Sequence, residues 1–144
     1  METKEFICAL DDQRIAEAIA TAEKSTSGEI RVFVSESTVD NALLEAEKQF
    51  VRMGMAKTAQ RNAVLVYFAP KSQKYAVVGD QGVHQKCGQK FWEHIAEEMT
   101  PLLKGNQFNE AVLYAVREVG AALAKEFPPL PGDKNELPNR VERG

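Results

Sequence analysis

Runs of lysine or arginine are absent from this sequence, and its net charge is −3. That balance excludes a general affinity for nucleic acid or anionic lipid, since both call for a concentrated basic patch. Nowhere does an apolar stretch approach the roughly 20 residues of a membrane-spanning helix. The start of the chain, Met1 to Leu10, has only the short mixed stretch Phe6 to Leu10, followed by Asp11 and Asp12. A secretory signal needs a basic start and a longer apolar run, so the expectation is a cytoplasmic protein. Cysteine is scarce: Cys8 and Cys87 fit reduced thiols better than a disulfide framework. Histidine is limited to His84 and His94. Zinc would have to combine these four residues, and His94 lies almost a quarter turn from His84 on the same helical pattern. What remains is ordinary in amount. The 144 residues, 44% hydrophobic and 27% charged, are enough for one domain that buries a core without metal or disulfide.

Periodicity orders the chain as α-β-α-β-β-α-α. Asp11 and Asp12 cap a helix with the stripe Ile15, Ala18, Ile19 and Ala22, which ends near Lys24. Glu29 to Ser35 alternates as a strand, with Ile30, Val32 and Val34 on one face and Glu29, Arg31 and Phe33 on a mixed one. Asp40 is placed to cap the next helix, with Leu43, Ala46, Phe50 and Met53 inward and Gly54 as its stop. Ala63 to Ala69 is nearly unbroken apolar sequence, the pattern of a central strand buried on both faces. Residues Pro70 to Lys74 make a short turn, so Tyr75 to Val78 returns antiparallel, whereas the intervening helix makes the first two strands parallel. Two helices follow, from about His84 to Thr100 and from about Asn109 to Lys125, with Pro101 and Gly105-Asn106 between them. Gly120 inside the second suggests close helix packing. The predicted fold is a small three-layer α/β/α sandwich with a mixed sheet. One domain spans residues 1–127, and a Pro-rich extended tail spans 128–144.

This topology predicts a convergence. Glu29 opens the first strand, Arg61 and Asn62 open the second, and Asp80 follows the third, which runs the other way. All should meet at one sheet end, with Thr26, Ser27, Lys57 and Thr58. The other end carries Glu36, Ser37, Pro70, Lys71 and Ser72, which read as solvated loops. Ligands of open α/β sheets usually sit at the carboxyl ends of parallel strands, but here the better-equipped edge is the amino end. Glu29 and Asp80 are hard oxygen donors of the kind Ca²⁺ or Mg²⁺ takes, and Gly79 and Gly82 allow a tight backbone turn beside them. A plainer reading stands next to this one: Asp80 caps the following helix, and Glu29 pairs with Arg31 or Arg61. No dinucleotide or P-loop spacing is present, so no organic cofactor is expected.

Four motifs occur in order: T-S-G-E-I-R-V (Thr26 to Val32), G-M-x-x-T-x-x-R-N-A-V-L (Gly54 to Leu65), G-D-x-G (Gly79 to Gly82) and N-E-L-P (Asn135 to Pro138). Together they resemble the TPM domain family in its stand-alone soluble form, over about Asp11 to Pro138. The family includes thylakoid proteins and many bacterial ones. The resemblance implies a Rossmann-like α/β/α sandwich. It implies divalent-ion binding, reported for some members, and an acid phosphatase activity linked to plant members. The matching positions are Glu29, Arg61, Asn62, Asp80 and Gly82. No leader, membrane helix or Gly-rich tail accompanies them here, so a photosynthetic or envelope role is not implied. Three readings follow. The first is a Ca²⁺- or Mg²⁺-binding module that serves a protein partner, with Glu29, Asp80 and Gly82 at the ion and Thr58, Arg61 and Asn62 beside it. The second is a metal-dependent phosphatase-like hydrolase in which Arg61 stabilises developing charge. The third is a ligand-free interaction scaffold.

Overall fold

The computed structural model describes residues 11–58, 61–129 and 141–144. Among them the chain runs α1 (Asp12–Glu23), β1 (Glu29–Val34), α2 (Ala42–Arg52), β2 (Ala63–Ala69), β3 (Lys74–Gly79), α3 (Gln81–Cys87), α4 (Gln89–Lys104), α5 (Phe108–Glu126) and β4 (Glu142–Arg143). The described strands form one sheet in the order β3-β2-β1-β4. β1 lies parallel to β2 and β4, while β3 lies antiparallel to β2.

The alternation in the strands decides the layers. Val64, Val66 and Phe68 join Ile30, Val32 and Val34 against α1, α4 and α5. Ala63, Leu65, Tyr67 and Ala69 join Phe33 against Ala42, Ala46 and Phe50 of α2. β2 is therefore buried along its whole length, as its unbroken apolar run implies. The result is the expected three-layer α/β/α sandwich, with α2 over β2 and β3 on one side and the remaining helices on the other. Asp11 caps α1 by accepting from the Arg14 N–H at 3.0 Å. Gly120 lets α5 approach α1, because a Cβ there would stand 2.8 Å from the Ala22 Cβ.

The elements depart from the sequence pattern in four places. Asn41, not Asp40, caps α2 through the Leu44 N–H. The buried stripe becomes Ala42, Ala46 and Phe50, and Leu43 is 49% exposed. The helix expected over His84 to Thr100 is two helices, α3 and α4, broken at Gly88 with φ +79°. Pro101 does not end α4. The helix runs on to Lys104 and buries Leu103 in the core, which offsets the backbone bond a proline forfeits. Finally, Glu142–Arg143 adds β4 beside β1, and Arg31 meets Glu142 at 2.6 Å. A two-residue strand has no periodicity to read. The N-E-L-P segment and Cys8 lie outside the described residues.

Candidate functional site

The amino edge of the sheet closes through backbone first. The Glu29 N–H donates to the Asn62 carbonyl at 3.3 Å, and the Asp80 N–H to the Ala63 carbonyl at 2.9 Å. One step further out, the Gly82 N–H donates to the Arg61 carbonyl at 2.9 Å. Glu29 is in register with Ala63, and Gly79 with Val64. Glu29, Arg61, Asn62, Asp80 and Gly82 therefore share one end of the sheet, with Glu29 and Asp80 on opposite flanks of Ala63.

Side chains then tie the loops together. Thr26 Oγ1 donates at the end of α5, where the Leu123 carbonyl lies at 3.0 Å and the Phe127 carbonyl closer still. It accepts from the Gly28 N–H at 3.0 Å. A Cβ at Gly28 would stand 2.9 Å from Leu123 Cδ1 and 3.1 Å from the Asn62 carbonyl oxygen. Only glycine fits between these layers. Thr58 is buried and its Oγ1 accepts from the Asn62 N–H at 3.2 Å. Asn62, 1% exposed, donates through Nδ2 to Ser27 Oγ at 3.2 Å. Its Oδ1 is buried and makes no hydrogen bond to a described residue. Gly79 serves packing: a Cβ there would stand 2.5 Å from Trp92 Cζ2.

The charged centre is the pair Arg61–Asp80. Arg61 Nε donates to Asp80 Oδ2 at 2.8 Å and the terminal Nη2 to Oδ1 at 3.0 Å, a fork-on-carboxylate geometry. Asp80 is 6% exposed, whereas the Arg61 side chain is 48% exposed. Asp80 Oδ1 also accepts from the Gln81 N–H at 2.7 Å, which makes it the N-cap of α3. Arg61 reaches this position from a left-handed backbone, φ 52°. The hydrogen bond from Asp80, and then its charge, hold the guanidinium more firmly protonated.

The residues supply part of a hard-cation shell. Ca²⁺ takes six to eight oxygens. This edge offers two carboxylates and the Asn62 amide oxygen. Among the described residues no three or more His, Cys, Asp or Glu side chains gather as a metal group. Asp80 already accepts from Arg61 and Gln81 on both oxygens, so an ion would compete with the guanidinium for it. Cys87 closes α3, and burial, followed by Glu126, pushes its thiol up. That is the opposite of an activated nucleophile.

A three-layer domain with a mixed sheet and this motif-built edge defines a class before it defines a protein. The TPM domain model matches residues 2–122. The chain belongs to the TPM domain family. It is similar to the solution structure of the BA42 protein from the psychrophilic bacterium Bizionia argentinensis, with 32% identity, 92% of each chain covered and a TM-score of 0.84. The N-terminal domain of cg2496 from Corynebacterium glutamicum shares the fold at 17% identity and a TM-score of 0.58, covering 77% of this chain and 70% of that one. No curated protein matches the chain. Among the described residues, no helix is long and apolar enough to cross a membrane.

Proposed function

We propose that this TPM domain is a cytoplasmic binding module whose amino edge takes a divalent cation, Ca²⁺ or Mg²⁺, in exchange for the Arg61 guanidinium. The observation that supports the reading is the asymmetry of the central pair. A buried carboxylate, Asp80, is neutralised by a half-exposed guanidinium that can leave into water. Glu29 and Asp80 would hold the ion, with the Asn62 Oδ1 as a neutral oxygen, the Gly82 turn against the Arg61 carbonyl framing the loop, and Thr58 fixing Asn62. Two carboxylates make a weak site, so the affinity belongs with the loosest Ca²⁺ modules, about 10⁻⁴–10⁻³ M. The exchange would free Arg61 and reshape the edge presented to a protein partner; nucleic acid is not the expected partner at a net charge of −3.

Calorimetry on metal-stripped protein tests this. Arg61→Ala should bind Ca²⁺ roughly tenfold more tightly than the natural sequence, since a competitor has been removed, about 1.4 kcal/mol in binding. Asp80→Asn should abolish binding. An Arg61→Ala protein that stays folded and binds no better would refute the exchange.

A second reading rests on the same pair seen differently. Both Asp80 oxygens already have donors, so Arg61 can serve as the permanent cation of a ligand-free scaffold. Under that reading neither protein binds an ion. A phosphatase-like activity has less support. The hydroxyls of Thr26 and Thr58 are engaged with backbone groups at this edge, and neither contacts a base. Phosphomonoester turnover lost in both Asp80→Asn and Arg61→Ala would revive it.

A further inference from the structure

At the opposite end of the sheet, the loops leaving β1 and β2 are ordered. The Val39 N–H donates to Ser72 Oγ at 2.8 Å, and the Ser37 N–H to Ser35 Oγ at 3.2 Å. α2 lies over β2 and β3, and at the carboxyl end of β1 Phe33 is buried with Gly144 packed against its ring. A cleft of about 210 Å³ opens there. This is where open α/β sheets usually place ligands.

The cleft is built from unlike parts. Its wall is the stacked pair Phe33–Tyr67, with ring centroids 5.7 Å apart and planes 8° from parallel. Ser37 and Thr38 bring hydroxyls from the β1 loop, and Gln49 and Arg52 bring an amide and a guanidinium from α2. Tyr67 is 3% exposed. Its hydroxyl hydrogen-bonds no described residue and is not sealed from water, so the oxygen opens on the cleft. The charges point the same way. Glu45 pairs with Lys48 at 3.3 Å, and Gly144, which also lines the cleft, is held by backbone hydrogen bonds to Val34 and Glu36. Arg52 forms no ion pair with a described residue. The cleft therefore carries the guanidinium of an exposed Arg52 and a phenolic hydroxyl, over space for about seven waters at ~30 Å³ each.

We propose that this cleft binds a small oxyanion, carboxylate or phosphate, carried on a hydroxylated carbon skeleton. The Arg52 fork takes the oxyanion, as guanidinium does with either group. The Tyr67, Ser37 and Thr38 hydroxyls and the Gln49 amide meet the skeleton's hydroxyls, and its C–H groups lie against the aromatic wall. The site is independent of the cation reading at the other edge.

The test is an amide NMR titration in EDTA-containing buffer with glycerol 3-phosphate, L-malate, inorganic phosphate and glycerol. Saturable shifts confined to residues 35–39 and 49–52 are expected with glycerol 3-phosphate or L-malate, and whichever binds identifies the oxyanion. Glycerol should give none. Affinity should fall about tenfold in Arg52→Ala and several-fold in Tyr67→Phe, which keeps the ring and its packing. No saturable shifts with either hydroxylated anion would overturn the proposal, as would shifts that map elsewhere. So would an affinity unchanged in both variants. Inorganic phosphate that binds as well as glycerol 3-phosphate, equally in Tyr67→Phe, would reduce the site to an exposed arginine and overturn it as well.

Discussion

Asp80 ties the amino edge together, because three donors converge on it, two from the Arg61 guanidinium and one from the start of α3. Asp80→Ala should cost about 1 kcal/mol through the lost cap alone, measured as a fall in the urea midpoint, while Asp80→Asn, still a competent cap, should cost less. The neighbouring glycine is equally constrained. Gly79→Ala places a methyl 2.5 Å from the Trp92 ring, an overpacking that should cost about 1–3 kcal/mol and shift the tryptophan emission. Part of this was legible in the sequence. The convergence of Glu29, Arg61, Asn62 and Asp80 follows from strand direction, and strand direction follows from connection length. The pairing itself was not legible. It depends on Arg61 adopting a left-handed backbone, which arginine has no intrinsic reason to do. The Thr26-Ser27-Gly28 motif likewise looked like part of a binding edge, but its contacts fasten β1 to the end of α5 and leave no room for a side chain at Gly28.

Between elements, two glycines contrast in ways that can be measured. At Gly120 the backbone is helical and the constraint is space, so Gly120→Ala gains propensity yet drives a methyl toward Ala22. The clash should win, with a net loss of about 1 kcal/mol. At Gly88 nothing stands within 4 Å, but φ is +79°. Gly88→Ala should therefore cost about 1–3 kcal/mol from backbone strain alone, and Gly88→Asn about as much, because ψ of 168° lies outside the left-handed helical region that Asn tolerates. Differential denaturation of the three variants separates the mechanisms. Helix limits were the least readable feature for related reasons. The α3–α4 break falls at Gly88, inside the span expected as one helix from His84 to Thr100, and in α2 it is Ala42, not Leu43, that shares the buried face with Ala46 and Phe50. β4 was hidden for another reason. Its two residues gain their place from β1's free edge and the Arg31–Glu142 contact, neither of which a local pattern reports.

For the whole molecule, alkaline pH exposes how the helical layer is held. Burial raises the Cys87 thiol and the Tyr114 phenol, each helped by nearby glutamates. A folded-state pKa above the unfolded one stabilises the protein fully at pH values below the unfolded pKa, and that contribution is lost as pH rises through the folded value. The urea midpoint, measured with reductant present, should therefore decline above about pH 9, the thiol's ordinary value. Cys87→Ala and Tyr114→Phe should together flatten that decline. The three-layer architecture was the most legible scale of all, since β2's unbroken apolar run and the lengths of its two connections leave few alternatives. The central functional claim is that the amino edge exchanges a guanidinium for a divalent cation. Its most direct test is an amide NMR titration of metal-stripped protein with Ca²⁺ and then Mg²⁺. Saturable shifts centred on Glu29, Arg61, Asp80 and Gly82, with the Arg61 side-chain Nε resonance moving toward that of a solvated guanidinium, are the predicted result. Spectra that remain unchanged with both ions at 10 mM, about ten times the weakest dissociation constant assigned here, would contradict it.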